Sequence, residues 1–140
     1  MTTILVVFES IIFFILAGIH FNWVIGGEWG FSEALPTNSE GKRVLNPRKI
    51  DSFIVGLGLL SFGFFFLIKT SLISIELPDW LQNYGGWGIA TIFLLRAIGD
   101  FKYIGFFKKV KNTDFAITDS KYFSPLCLLL SVVAIIISIL

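Results

Sequence analysis

Four long apolar runs, residues 4–25, 50–68, 84–107 and 123–140, constrain this chain more than any other feature. Crossing the hydrocarbon of a bilayer takes roughly 20 consecutive apolar residues as a helix, at about 1.5 Å of rise each. The runs are continuous and do not alternate, which excludes outer-membrane strands and predicts helices that close their backbone hydrogen bonds internally. The expected fold is all-α, an integral membrane bundle of four transmembrane helices forming a single membrane domain over residues 1–140. Composition agrees, because a 140-residue chain that is 55% hydrophobic and only 15% charged falls outside the soluble globular range. A formal net charge of +1, with its cations gathered in loops, argues against nucleic acid as a partner. Met1-Thr2-Thr3 has no basic region and no small-residue cleavage site follows the first run, so the first helix is expected to stay attached.

Orientation follows from the cations. Loop 26–49 carries Lys42, Arg43, Arg48 and Lys49, and loop 108–122 carries Lys108, Lys109, Lys111 and Lys121, whereas the second connection has Lys69 at its edge. The positive-inside rule makes the two basic loops cytoplasmic and puts both termini outside. Trp80, Tyr84 and Trp87 then mark the outer interface, and Trp23, Trp29 and Tyr122 the inner one. Small residues suggest how the helices pack: Ser52, Gly56 and Gly63 on the second, and Ser131, Ala134 and Ser138 on the fourth. Ser124-Pro125 reads as a cap with proline at the first helical position of the fourth helix.

The polar residues inside this apolar frame are the candidate site. If the third helix runs through Phe107, Arg96 and Asp100 stand one turn apart on one face, where each charge would cost about 2.5 to 3.5 kcal/mol at the bilayer centre. His20, Asn22, Arg96 and Asp100 all fall in the cytoplasmic half, with Trp23, Glu28, Tyr103 and Asp119 toward the same interface. One reading makes them a ligand-binding pocket in which His20 and Asp100 bind or protonate a ligand and Arg96 holds an anionic group. The other makes Arg96 and Asp100 a neutralising pair, with His20 and Asn22 fixing helix order. Near the outer side, Glu9 and Lys69 are expected to pair by snorkelling, or Glu9 admits a proton or cation.

No metal site is expected, since one His and one Cys without ligand spacing do not make one. No cofactor is expected. Cys127 among leucines reads as a small apolar side chain, and no Ser-His-Asp order, phosphate loop or catalytic carboxylate pair is found. Phe115-Ala116-x-x-Asp119 reads as a short surface-lying segment, with Asp119 free to cap it or to meet the basic first loop, or as part of a lid.

The spaced marks His20-x-x-Trp23-x-x-Gly26-Gly27, Leu35-Pro36, Leu95 to Phe101, Phe115-Ala116 and Asp119 to Pro125 span nearly the whole chain. On these the sequence resembles a bacterial integral membrane family catalogued as domain of unknown function 3995. The resemblance implies a small four-helix protein of the bacterial cytoplasmic (inner) membrane, multi-pass, with no known activity or catalytic residue. The expected function is non-enzymatic binding of a small amphiphile, a lipid headgroup or a partner helix. The alternatives are an intramembrane enzyme using His20 and Asp100, or a small transporter acting as a homo-oligomer. The expected partners are the lipid bilayer, a small amphiphile or a membrane protein.

Overall fold

The apolar runs become four long helices in a computed structural model, which describes residues 1–70 and 72–140. These are α1 (Thr2–Val24), α2 (Lys49–Ile68), α3 (Asp79–Ile98) and a composite helix made of α4 (Asp114–Thr118), a π-helical turn (Asp119–Phe123) and α5 (Ser124–Ile139). The protein is all-α: among the described residues there is no strand, and an isolated bridge joins Thr37 to Arg43. Three helices, Thr2–Val24, Lys49–Ile68 and Asp114–Ile139, are long and apolar enough to cross a membrane. The other, α3, has 20 residues, but Asp79, Gln82 and Asn83 make its first turns polar.

The helices pack as two antiparallel pairs, α1 with α2 and α3 with α5, which touch each other far less than their members do. Small residues set both pairings. Phe14 fills the space over Gly63, and a Cβ on Gly56 would stand 3.0 Å from the Phe21 ring. In the second pair Gly86 leaves room for the Ser138 hydroxyl, and Ser131 Oγ donates to the Ala90 carbonyl at 2.8 Å. Close backbone approach is what such stripes allow where lipid removes the hydrophobic drive. Phe13, fully buried, joins the pairs by packing on Phe62 and Phe66 of α2 and Phe93 of α3, with ring centroids 5.8, 6.0 and 5.2 Å apart.

Two expected boundaries are corrected. The third helix does not run from 84 to 107; it starts at Asp79 and stops at Ile98, because Gly99 takes φ +85° and turns the chain out of the helix. Residues 99–110 then form a folded loop containing Phe101 at φ 64° and Gly105 at φ 88°. The stretch 108–122 is not a plain loop either, since the composite helix begins at Asp114, where Thr113 Oγ1 accepts the Ala116 amide at 3.0 Å as its N-cap. Pro125 therefore lies within a helical run, and the π-turn precedes it. Proline lacks an amide and crowds the carbonyl four residues back, a conflict the wider turn accommodates.

Gly99 and Gly105 lie back to back: a Cβ on Gly99 would strike the Ile104 carbonyl, and one on Gly105 the Ile98 carbonyl. Gly99→Ala meets both the left-handed backbone and this contact. It is expected to lose about 2 kcal/mol or more in reversible unfolding in detergent, while Gly58→Ala, with open space around it, changes stability little.

Candidate functional site

The polar groups gather around Asp119, which is fully buried. Its Oδ1 accepts from Arg96 Nη2 at 2.8 Å. Its Oδ2 accepts from the Gly105 amide at 2.9 Å, Ser124 Oγ at 3.0 Å and Lys108 Nζ at 3.1 Å. Lys108, equally buried, also donates to the Gly105 carbonyl at 2.8 Å and to Ser120 Oγ at 2.5 Å, so its three ammonium hydrogens each have an acceptor. The arrangement clamps the 99–110 loop between the end of α3 and the π-turn. Ser124 is thereby engaged by Asp119 and is not the helix cap that its place before proline suggests.

Arg96 and Asp100 do not pair. Once the helix ends at Ile98, Asp100 no longer shares a face with Arg96; its Oδ1 instead accepts the amides of Lys102, Tyr103 and Ile104 at 2.9, 2.8 and 3.0 Å. Loss of hydration opposes its charge, but the amides of Ile104, Lys102 and Tyr103 together outweigh this and hold the carboxyl below the usual aspartate range. The neutralising partner of Arg96 is Asp119, 23 residues away, and the surface position expected for Asp119 is corrected to a buried one. Glu9 and Lys69 form no ion pair either: the Lys69 ammonium lies over the Phe65 ring at 5.4 Å.

The remaining candidates occupy the end of α1. His20 Nδ1 lies 2.9 Å from the Leu16 carbonyl, and its ring packs on Trp23 with centroids 4.6 Å apart. Asn22 fills the space beside Gly27, and its Oδ1 is buried without a partner among the described residues. Trp23 Nε1 donates to the Trp29 carbonyl at 2.7 Å, and its ring meets Phe31 edge-on at 5.5 Å. Tyr103 gives its amide to Asp100 and its ring face to the Lys102 ammonium at 5.1 Å. No hydrogen bond or ion pair among the described residues joins His20, Asn22, Trp23 or Glu28 to the Asp119 clamp.

Trp23 and Glu28 do meet in a half-open cavity of about 180 Å³ between the end of α1 and the start of α2. Phe31, Gly26, Gly27 and Pro47 complete its apolar and backbone lining, and Arg48, Lys49 and Ser52 add polar groups. Arg48 is held at the helix start, its amide donating to Asp51 Oδ2 at 2.8 Å. Sequence reasoning missed Arg48, Lys49 and Phe31 here, and Lys108 in the clamp; all the cations read as loop charges that orient the chain.

Apolar helices of membrane length, two tight helix pairs and a buried charge clamp at one end define a small all-α membrane-type protein. The chain belongs to the family described as protein of unknown function (DUF3995), which matches residues 13–134. No curated protein and no solved structure matches it.

Replacing Asp119 by Leu leaves Lys108 buried without a counter-charge and is expected to cost about 3 to 5 kcal/mol in unfolding, with part of that recovered when Lys108→Met is added. Because the folded carboxyl of Asp100 titrates below its ordinary pKa, its contribution is complete above the usual aspartate pKa of about 3.9 and fades as pH falls through the lower folded value. Protection of the Lys102, Tyr103 and Ile104 amides against hydrogen exchange, relative to the intrinsic rate at each pH, should fall in that acidic window in the wild type, and be low at every pH in Asp100→Ala.

Proposed function

We propose that this protein spans the bacterial cytoplasmic membrane four times, with both termini outside, and binds the phosphate-bearing headgroup of an amphiphile. The observation that carries this reading is the cavity at the end of α1 and the start of α2, two helices of membrane length, where Trp23 and Phe31 stand beside Arg48 and Lys49. Aromatic rings suit the boundary of hydrocarbon and water, and cations there attract anionic headgroups. Glu28 in the same lining disfavours a headgroup of high negative charge and suits one that also carries an amine. The crossing of α3 is supported by its 20 residues, about 30 Å of helix, and by its pairing with α5, where Gly86 meets Ser138 and Ala90 meets Ser131.

In this reading Trp23 and Glu28 remain site residues, while Arg96, Asp100, Tyr103 and Asp119 act in the clamp that shapes the same end of the molecule. His20 and Asn22 support Trp23 from within α1. The ligand is held and not transformed, as a binding site needs only placed polar and apolar groups.

Native mass spectrometry of protein released from mild detergent reads this directly. The wild type is expected to retain phospholipid. Lys49→Glu, at an exposed side chain, is expected to weaken retention about tenfold, and Trp23→Ala to weaken it further, with both variants folded. Equal retention by a folded Lys49→Glu and Trp23→Ala would contradict the reading.

A further inference from the structure

At the opposite end of the helices from the clamp, Glu9 is fully buried, and neither carboxyl oxygen has a partner among the described residues. It lies about 10 Å along α1 from the start of the helix. Its neighbours on the buried face are Val6, Ser10 and Phe13; the Ser10 hydroxyl is already committed to the Val6 carbonyl at 2.8 Å. One turn away is the Phe13, Phe62, Phe66 and Phe93 cluster, where the two helix pairs meet.

No counter-charge is built in. Residues 52–68 of α2, 80–95 of α3 and 125–140 of α5 contain no Asp, Glu, Lys, Arg or His. Within those stretches the titratable groups are Tyr84, which is exposed, and Cys127; the charged residues of these helices stand at their ends, Lys49 and Asp51 on α2 and Asp79 and Arg96 on α3, and Lys69 just past α2 lies over Phe65. An ionised carboxylate left alone in such surroundings costs more than a small fold can absorb, so the resting side chain carries its proton. A carboxyl that is affordable only when neutral, one helical turn from a cluster of aromatic rings, matches one kind of visitor: a cation whose own surface is apolar, attracted by the carboxylate and by the ring quadrupoles together.

We propose that Glu9 anchors a binding site for a lipophilic organic cation, seated between the two helix pairs against the Phe13 cluster. On binding, the Glu9 carboxyl gives its O–H proton to water at the outer face, and the resulting carboxylate pairs with the cation, so charge in the site stays balanced. The sparse contact between the pairs is the seam through which the cation enters. This site is separate from the headgroup cavity, and either can fail without the other.

The test uses the full chain in detergent with tetraphenylphosphonium as the probe, measured by equilibrium dialysis and by a pH indicator in weak buffer. The wild type should bind the probe saturably and release about one proton per cation. Glu9→Gln, folded by circular dichroism and gel filtration, should bind at least tenfold more weakly and release none. Absence of saturable binding by the wild type, or unchanged binding by folded Glu9→Gln, overturns the proposal. If Glu9→Gln does not fold, dicyclohexylcarbodiimide decides on the wild type, since a protonated carboxyl in apolar surroundings adds across its C=N bond, the O–H bond breaking as C–O and N–H bonds form, with nothing lost. Labelling at Glu9 that tetraphenylphosphonium suppresses supports the site; no labelling, or labelling that the cation does not suppress, overturns it.

Discussion

The carboxylate of Asp119 is the point on which one end of this molecule depends. It is removed from solvent entirely, and it is tolerated there because it collects four donors: the guanidinium of Arg96, the ammonium of Lys108, the Gly105 amide and the Ser124 hydroxyl. A buried ion pair contributes little when set against a well-packed apolar alternative, yet losing one member is severe. What this cluster adds is position. The chain from Gly99 to Val110 has no helix of its own and passes through three left-handed residues, Gly99, Phe101 and Gly105. Asp119 ties that segment back to the π-turn, and Asp100 closes its first turn from within.

The clamp also accounts for the shape of the composite helix. A π-turn at Asp119–Phe123 lets the acidic side chain face the end of α3 while α5 continues along its partner, and it absorbs the proline that would otherwise strain the run. The two ends of the molecule thus use charge in opposite ways. At the clamped end, Asp119 and Lys108 are buried with their hydrogen-bonding capacity matched by neighbours. At the other, Glu9 is buried with none. The first pattern suits a fixed structure, and the second suits a group that waits for a partner.

Much of the helical frame was legible in the sequence because hydrocarbon thickness leaves few options for an apolar run. The Gly56 and Gly63 stripe and the Ser131 and Ala134 stripe lie buried in helix pairings, since small residues leave their mark on packing wherever they sit. The end of α3 was not legible. Its apolar residues continue to Phe107, and the decision to stop at Gly99 rests on Gly105 lying against it, a contact between positions that no periodicity relates. The partner of Arg96 was hidden for the same reason. Asp100 stands at helical spacing from it, while Asp119 reaches it only after the chain has turned back. Lys108 and Lys109 look alike as neighbouring loop cations, but Lys108 is buried among three acceptors, a difference set by tertiary position alone.

The amide of Gly105 reports most directly on the central claim, that Asp119 holds the 99–110 loop in place. Its hydrogen exchange and proton chemical shift can be followed in detergent or nanodiscs beside those of Gly30, a loop glycine with no such anchor. If Asp119 holds the loop, the Gly105 amide is strongly protected and shifted downfield by the carboxylate, and loses both properties in Asp119→Leu while Gly30 is unaffected. A Gly105 amide that exchanges as fast as Gly30 in the wild type would contradict it.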